Sequence, residues 1–249
     1  MIVDALFVVV VWLAPSLIRP VLLICAWHRR VWSAACQLCC LQLRVHAAFP
    51  PEALSGLRPS KMRPMSSALV VASNGSEDME LVISVDVLRR ANVKVTVAGL
   101  QDTDRITCAR GTTIIVDEKL EDVASKIYDV VVLPGGQPGS NNFAASSVVG
   151  DVLRAHEKAG SLIAAICAAP IALKSHGIAM DATLTSYPGV RDEIQKAGYK
   201  YSEDRVVVSG KVITSRGPGT AFDFALKLVE LLEGQGKSKD VAKAMLVEH

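Results

Sequence analysis

The sequence beyond residue 64 predicts an α/β fold, built on a doubly wound, mostly parallel sheet. Two short segments, residues 128–133 (YDVVVL) and Leu162–Ile166 (LIAAI), are strongly apolar. Such runs are typical of strands that are buried on both faces of a parallel sheet. Strand-like segments also alternate with amphipathic ones along the chain, which predicts parallel strands joined by helices on both faces.

The elements are expected in a regular order. Residues 68–73 form an apolar run closed by Asn74-Gly75, and residues 77–91 carry apolar side chains at helical spacing. The other predicted strands are 93–98, 128–133, Leu162–Ile166 and 183–186, followed by a hairpin of 205–208 and 211–214 around Ser209-Gly210. The other predicted helices are 146–158, one opened by Pro170 and ended by His176, then 190–197, 220–232 and 240–247.

Composition and charge divide the chain at about residue 64. The 249 residues are 50% apolar and 21% charged, enough for a core of one large or two small domains, which excludes a disordered protein. Residues 1–64 carry seven Lys or Arg against Asp4 and Glu52, whereas residues 65–249 carry 20 basic and 23 acidic residues. The main body, 65–249, therefore lacks the basic footprint of a nucleic-acid-binding protein.

Residues 1–64 form a hydrophobic and basic extension that ends in a proline-rich linker. Two apolar runs, 2–18 and 21–27, precede Arg29-Arg30, so the positive charge lies on the wrong side for a secretory signal. Three interpretations are open. The extension is a membrane anchor with its C-terminal side in the cytoplasm, an organelle-targeting segment, or a non-conserved piece bypassed by initiation near Met65.

The cysteines predict a reduced, intracellular protein without a metal. One Cys-x-x-Cys pair, Cys36 and Cys39, lies in the extension, but no second pair has ligand spacing, so lipidated or merely apolar cysteines are favoured over zinc. The main body contains only Cys108 and Cys167, which form no disulfide framework. We expect a cytoplasmic location, with a mitochondrial or nuclear one also open.

Ligands of doubly wound sheets bind at the carboxyl ends of the strands, and chemistry-bearing residues follow two of the predicted strands. Cys167 directly follows Leu162–Ile166 at a strand-to-helix turn, where a helix N-terminus is expected to lower the pKa of the thiol; a buried structural cysteine is the alternative. Gly135-Gly136 follows residues 128–133 and can bring backbone N–H groups close to a ligand. Glu80 lies one turn into the first helix, where an ordinary helix-start carboxylate is the alternative.

Four sequence blocks extend these observations: ALVVASNGSEDMELV, VVVLPGGQPGSNN, LIAAICAAPIAL and GYKYSEDRVVVSGKVITSRGPGTAFDFAL. In this order and spacing they resemble the ThiJ/PfpI superfamily and, within it, the parkinsonism-associated deglycase (DJ-one-like) branch. The resemblance spans about residues 66–247. It implies a flavodoxin-like single domain over 65–249, a homodimer, and no metal or organic cofactor.

The resemblance also implies roles for particular residues. Cys167 matches the reactive cysteine and Glu80 its acidic partner, while Gly136 and Ala168 match the backbone donors of an oxyanion site. Peptidases of the superfamily carry a histidine where Ala168 stands, so amide hydrolysis is not favoured. The remaining matches are the peripheral, oxidation-sensitive Cys108, the basic residues Arg110 and Arg216 at the pocket rim, and Tyr187, which replaces the histidine of the best-known members.

The function implied first is that of a glutathione-independent glyoxalase, which converts methylglyoxal or glyoxal to lactate or glycolate, with related removal of early glycation adducts from proteins or nucleotides. The alternative is a dimeric redox sensor and chaperone that works through oxidation of Cys167. The expected partners are small dicarbonyl substrates and a second copy of the chain. No sequence-specific nucleic acid is expected, and a membrane only through the extension.

Overall fold

The structure is a computed structural model that describes residues 64–248. The predicted anchor, targeting or non-conserved segment and its cysteines lie outside these residues. Among the residues that are described, no helix is both long enough and apolar enough to cross a membrane.

Strands and helices alternate through residues 64–248. The strands are β1 (Ser67–Ala72), β2 (Lys94–Gly99), β3 (Arg105–Thr107), β4 (Thr113–Ile115), β5 (Glu118–Lys119), β6 (Val130–Leu133), β7 (Leu162–Ile166), β8 (Thr183–Leu184), β9 (Lys200–Tyr201), β10 (Val206–Ser209) and β11 (Val212–Ser215). The helices are α1 (Asp78–Arg90), α2 (Leu120–Val123), α3 (Gln137–Ala145), α4 (Ser147–Ala159), α5 (Pro170–His176), α6 (Arg191–Lys196), α7 (Ala221–Glu233) and α8 (Gln235–Ala244).

The central sheet has the order β10-β11-β7-β6-β1-β2-β5. Its five main strands are parallel and follow the 2-1-3-4-5 order of flavodoxin-like folds, and β10 adds an antiparallel edge. The order reverses between β1 and β6, so a crevice opens at their carboxyl ends. The predicted flavodoxin-like, mostly parallel sheet is confirmed.

Strand β1 shows how the sheet is fixed between two cores. Ala68, Val70 and Ala72 face the layer formed by α1, α7 and α8, whereas Leu69 and Val71 face the layer formed by α3, α4 and α5. All five side chains are fully buried. Because each buried Val or Leu contributes about 1.5–3 kcal/mol, the turn that follows Ala72 starts from a rigid support.

Several elements differ from the sequence prediction. The hairpin of β3 and β4, the short β5 and α2, and helix α3 are not predicted, because these segments are brief, partly exposed or rich in Gly, Pro and Asn. The strand predicted at 183–186 ends at Leu184, since the N–H of Thr185 donates to Thr214 Oγ1 (2.9 Å). The last helix begins at Gln235, five residues before the predicted start at 240, and it ends at Ala244.

Candidate active site

Cys167 is the first residue after β7 and has a left-handed backbone, with φ of 65°. A non-glycine residue in this region stores about 1–3 kcal/mol of strain and persists only where its surroundings hold it. Its N–H donates to Ser215 O (3.0 Å), and its carbonyl accepts the N–H of Tyr187 (2.7 Å). The ends of β7 and β11 and the loop after β8 thus fix the turn that presents the thiol.

Glu80 lies in the first turn of α1 and is completely buried. Its Oε2 accepts the N–H of Gly135 (2.7 Å), while Oε1 is buried without a hydrogen-bond partner. Burial raises the pKa of Glu80 to about 7, the Gly135 hydrogen bond opposes this, and the charge of Glu77 adds to it. The carboxyl therefore exchanges its proton near neutral pH.

The thiol of Cys167 and the carboxyl of Glu80 interact directly. Burial, and then the negative charge of Glu80, raise the pKa of Cys167 to about 12, against the opposing effect of two backbone N–H groups. The prediction of a lowered thiol pKa is wrong, because burial and the neighbouring carboxyl of Glu80 outweigh the two backbone N–H groups. Burial and the neighbouring carboxyl thus favour the thiol form of Cys167.

Two backbone N–H groups near the sulfur, those of Gly136 and Ala168, oppose the rise in the thiol pKa. Gly136 has φ of 83°, and a Cβ at this position would overlap Gly75 O. A Cβ at Gly135 would overlap the Cβ of Cys167. The two glycines therefore let the loop after β6 approach the cysteine closely enough for its N–H to reach the reacting atoms.

The structure thus brings together the site residues predicted from the strand ends, Cys167, Glu80, Gly135, Gly136 and Ala168. Tyr187 joins them through its backbone, while its ring is 50% exposed and lies over Gly189.

The two predicted arginines have other hydrogen-bond partners. The exposed Arg110 donates its backbone N–H to Asp78 Oδ2 (2.8 Å), and Arg216 directs Nη1 at the carbonyl of Glu203 (3.0 Å). Neither guanidinium forms a hydrogen bond with Cys167 in the described part of the chain. Their role at the pocket rim stays a prediction.

Cys108 lies in the turn between β3 and β4 and is 4% exposed. Its N–H donates to Thr112 O (2.8 Å), and burial, followed by the charges of Asp78 and Glu77, raises the pKa of its thiol to about 11. The two cysteines of residues 64–248 are both free, and no cluster of three or more His, Cys, Asp or Glu there suits a metal ion.

Sequence reasoning misses Glu77, the residue that caps α1. Its Oε2 accepts the N–H of Glu80 (2.8 Å), and its own N–H donates to Gly135 O (2.9 Å). The spacing Glu-x-x-Glu at a predicted helix start is the signal that could have drawn attention to it.

Comparisons with known proteins identify the family of this chain. The model of the DJ-1/PfpI family matches residues 66–231. Protein dj-1beta of Drosophila melanogaster is 52% identical over 184 residues, which are 74% of this chain and 98% of that protein. A Caenorhabditis elegans protein named glutathione-independent glyoxalase DJR-1.2 is 42% identical over 180 residues, 72% of this chain and 95% of that protein.

Solved structures show the same fold. The crystal structure of Drosophila melanogaster DJ-1beta has a TM-score of 0.72 and 51% identity, and the match covers 74% of this chain and 100% of that one. Oxidized Toxoplasma gondii DJ-1 has a TM-score of 0.71 and 36% identity over the same shares of the two chains. The family match, the identity to full-length relatives and the shared fold together establish that the chain belongs to the DJ-1/PfpI family.

Proposed function

We propose that the protein is a glutathione-independent glyoxalase that converts methylglyoxal to lactate and glyoxal to glycolate. The observation that carries the proposal is the buried pair of Cys167 and Glu80, with the N–H groups of Gly136 and Ala168 directed at the sulfur. A candidate nucleophile, a carboxyl with a pKa of about 7 and two candidate oxyanion donors thus lie close together at the strand ends. The name of the 42% identical Caenorhabditis elegans relative supports the same activity.

The first step is the addition of the Cys167 thiol to the aldehyde carbon. Glu80 takes the thiol proton while a carbon–sulfur bond forms and the carbonyl π-bond breaks, and it then gives this proton to the new oxyanion, which yields a hemithioacetal and restores the carboxylate. The N–H groups of Gly136 and Ala168 stabilise the negative charge that develops on the aldehyde oxygen. A base of pKa about 7 is well matched to this transfer at neutral pH.

The second step moves hydrogen between the two substrate carbons. Glu80 removes the proton from the carbon bonded to sulfur and delivers it to the neighbouring carbonyl carbon, while the hydroxyl proton passes to the neighbouring oxygen, which leaves a thioester of the 2-hydroxy acid. Water then breaks the carbon–sulfur bond and releases the acid and the thiol. One carbon is oxidised and its neighbour is reduced within the same molecule, so the sequence of steps balances without an external oxidant.

Removal of early glycation adducts is the related activity in this proposal. The adduct of a dicarbonyl with an amine or thiol retains the carbon atoms on which the Cys167–Glu80 pair acts. The amine or thiol would leave as its bond to the adduct carbon breaks and the carbonyl re-forms, and Cys167 would then add to the aldehyde as above to give the 2-hydroxy acid.

Replacement of the nucleophile tests the glyoxalase proposal. Cys167→Ser should reduce lactate formation from methylglyoxal, measured without glutathione, by several orders of magnitude, because a hydroxyl is a much weaker nucleophile. Cys108→Ser, which removes the other cysteine of the described region, should retain activity. If Cys167→Ser keeps more than about a tenth of the native turnover, the covalent mechanism is wrong.

A redox-sensing role is the second candidate, because the same two N–H groups would hold the oxygens of an oxidised Cys167. Peroxide would convert the thiolate to sulfenate and then sulfinate, with Glu80 again accepting the thiol proton. The structural relative from Toxoplasma gondii is described as oxidized, which supports this candidate.

A further inference from the structure

Glu77, Glu80 and Gly135 form a closed ring of three hydrogen bonds. The N–H of Glu77 donates to Gly135 O (2.9 Å), the N–H of Gly135 to Glu80 Oε2 (2.7 Å), and the N–H of Glu80 to Glu77 Oε2 (2.8 Å). The ring joins the start of α1, which carries the base, to the loop after β6, which carries the oxyanion donor Gly136. A shift in one of the three residues therefore displaces the other two.

Glutamate is an unusual residue for the cap of this helix. Asn, Asp and Ser are preferred at such positions, and each offers an oxygen to the same N–H group. Glu77 is 8% exposed and Glu80 is fully buried. Within residues 64–248, neither carboxyl forms an ion pair with Lys, Arg or His. Two unneutralised carboxyls side by side oppose folding, so the charge of Glu77 is poorly explained by helix capping alone.

Few other titratable groups face these carboxyls. The pKa of Glu80 is affected by two of them, Glu77 at the start of the same helix and Cys167 in the turn after β7. The charges of Glu77 and Asp78 also raise the pKa of Cys108, in the turn between β3 and β4. The charge of Glu77 raises the pKa of Glu80 beyond the effect of burial, toward the range of a base that works at neutral pH.

We propose that Glu77 is a positioning residue of the active site. Its carboxylate holds Glu80 by accepting the backbone N–H of Glu80. The charge of Glu77 also sets the pH range in which Glu80 takes the proton of Cys167. This inference rests on the proposed function for its catalytic meaning. The electrostatic effect itself can be measured without turnover, from the reactivity of the thiol.

The test compares three variants of the full chain. Glu77→Gln and Glu77→Ser keep an oxygen that caps α1 but remove the charge, whereas Glu77→Asp keeps both the cap and the charge. The readout is the rate at which iodoacetamide alkylates Cys167 at each pH, followed by mass spectrometry of the peptide that contains it. This rate rises as the Cys167–Glu80 pair loses its first proton.

We expect the midpoint of the alkylation curve to move to lower pH by about one unit in Glu77→Gln and Glu77→Ser, and to stay near the native value in Glu77→Asp. The acidic limb of the methylglyoxal kcat/KM profile should move by the same amount. Unfolding midpoints should be equal to the native value or higher, because the cap is kept and a like charge is removed.

Unchanged alkylation midpoints in the folded Gln and Ser variants would overturn the inference and leave Glu77 as a simple helix cap. If Glu77→Gln does not fold, Glu77→Ser decides, and failure of both to fold would likewise assign Glu77 a purely structural role. A native protein without methylglyoxal turnover would refute the proposed function, whereas a shifted alkylation midpoint would still support the control of Glu80 by Glu77.

Discussion

Replacement of Glu80 by glutamine should abolish activity and yet stabilise the folded protein above neutral pH. Glutamine has the same shape, and its amide oxygen can accept the N–H of Gly135 as Oε2 does. Its NH₂ group would replace Oε1, which is buried without a hydrogen-bond partner. The substitution therefore removes a carboxylate that is ionised in a site that solvates it poorly, at little cost in packing.

The magnitude follows from the pKa of Glu80. Its value rises from 4.5 to about 7 in the folded protein, and each unit corresponds to about 1.4 kcal/mol, so the total is about 3 kcal/mol. Because the folded state holds this proton more tightly than the unfolded state, the stabilisation is fully present below pH 4.5 and is lost as the pH rises to about 7. The glutamine variant has no such loss.

Urea unfolding, followed by circular dichroism at pH 5 and pH 8, measures this difference. Between these two values, the free energy of unfolding of Glu80→Gln should gain about 2–3 kcal/mol relative to that of the native protein. Glu118→Gln, a substitution of an exposed glutamate in β5, is the matched control and should gain nothing. A relative gain of less than about 1 kcal/mol for Glu80→Gln would refute the argument that burial controls this carboxyl.

Three further predictions concern Tyr187, the two cysteines of the described region and His156. Tyr187→Phe should lower turnover of methylglyoxal about tenfold or less, the effect of one neutral hydrogen bond, and a loss as large as that of Cys167→Ser would make the phenol a proton carrier. Under graded peroxide, peptide mass spectrometry should find Cys167 modified before Cys108, since only Cys167 has a base and two N–H donors at its sulfur; the reverse order would exclude Cys167 as the sensor. His156 is buried, donates from Nδ1 to Val152 O (2.7 Å) and accepts the N–H of Tyr128 at Nε2 (3.0 Å), and burial lowers its pKa. The neutral ring therefore contributes fully to the free energy of unfolding above pH 6.5, and this contribution falls as the pH drops below 6.5. In urea unfolding, the free energy of unfolding of His156→Gln should decrease less at acidic pH than that of the native protein.

The parts of the fold that the sequence predicts well are those specified by local patterns. Strands β1, β6 and β7 are short apolar runs, and their burial on both faces follows directly from that composition. Helix α3 is different, because its sequence QPGSNNFAA has little helix propensity. It forms because Phe143 is completely buried and the helix packs on α5, which are tertiary contacts that no local pattern reveals.

The sequence likewise predicts one part of the candidate site and not another. The position of Cys167 at a strand-to-helix turn is visible in the sequence, since a buried strand, a cysteine and a proline follow one another. The state of its thiol is not visible, because it depends on Glu80, which lies 87 residues earlier and is brought to the sulfur only by the pairing of β1, β6 and β7. The helix start after Cys167 predicts a lowered thiol pKa, but the carboxyl that the parallel sheet brings beside the sulfur raises it.

The site concentrates features that oppose folding, and the sheet explains how they persist. Cys167 has a strained backbone, Glu80 leaves one oxygen buried without a hydrogen-bond partner, and Glu77 adds a like charge. The first two features each cost on the order of 1–3 kcal/mol, and all three lie within eight residues of the end of a largely buried strand. The N–H groups of Gly135 and Tyr187 donate to Glu80 and Cys167, and the carbonyl of Ser215 accepts the N–H of Cys167, so both residues are held on that rigid frame. The rigid strands therefore hold the thiol of Cys167 beside the carboxyl of Glu80 in spite of these costs.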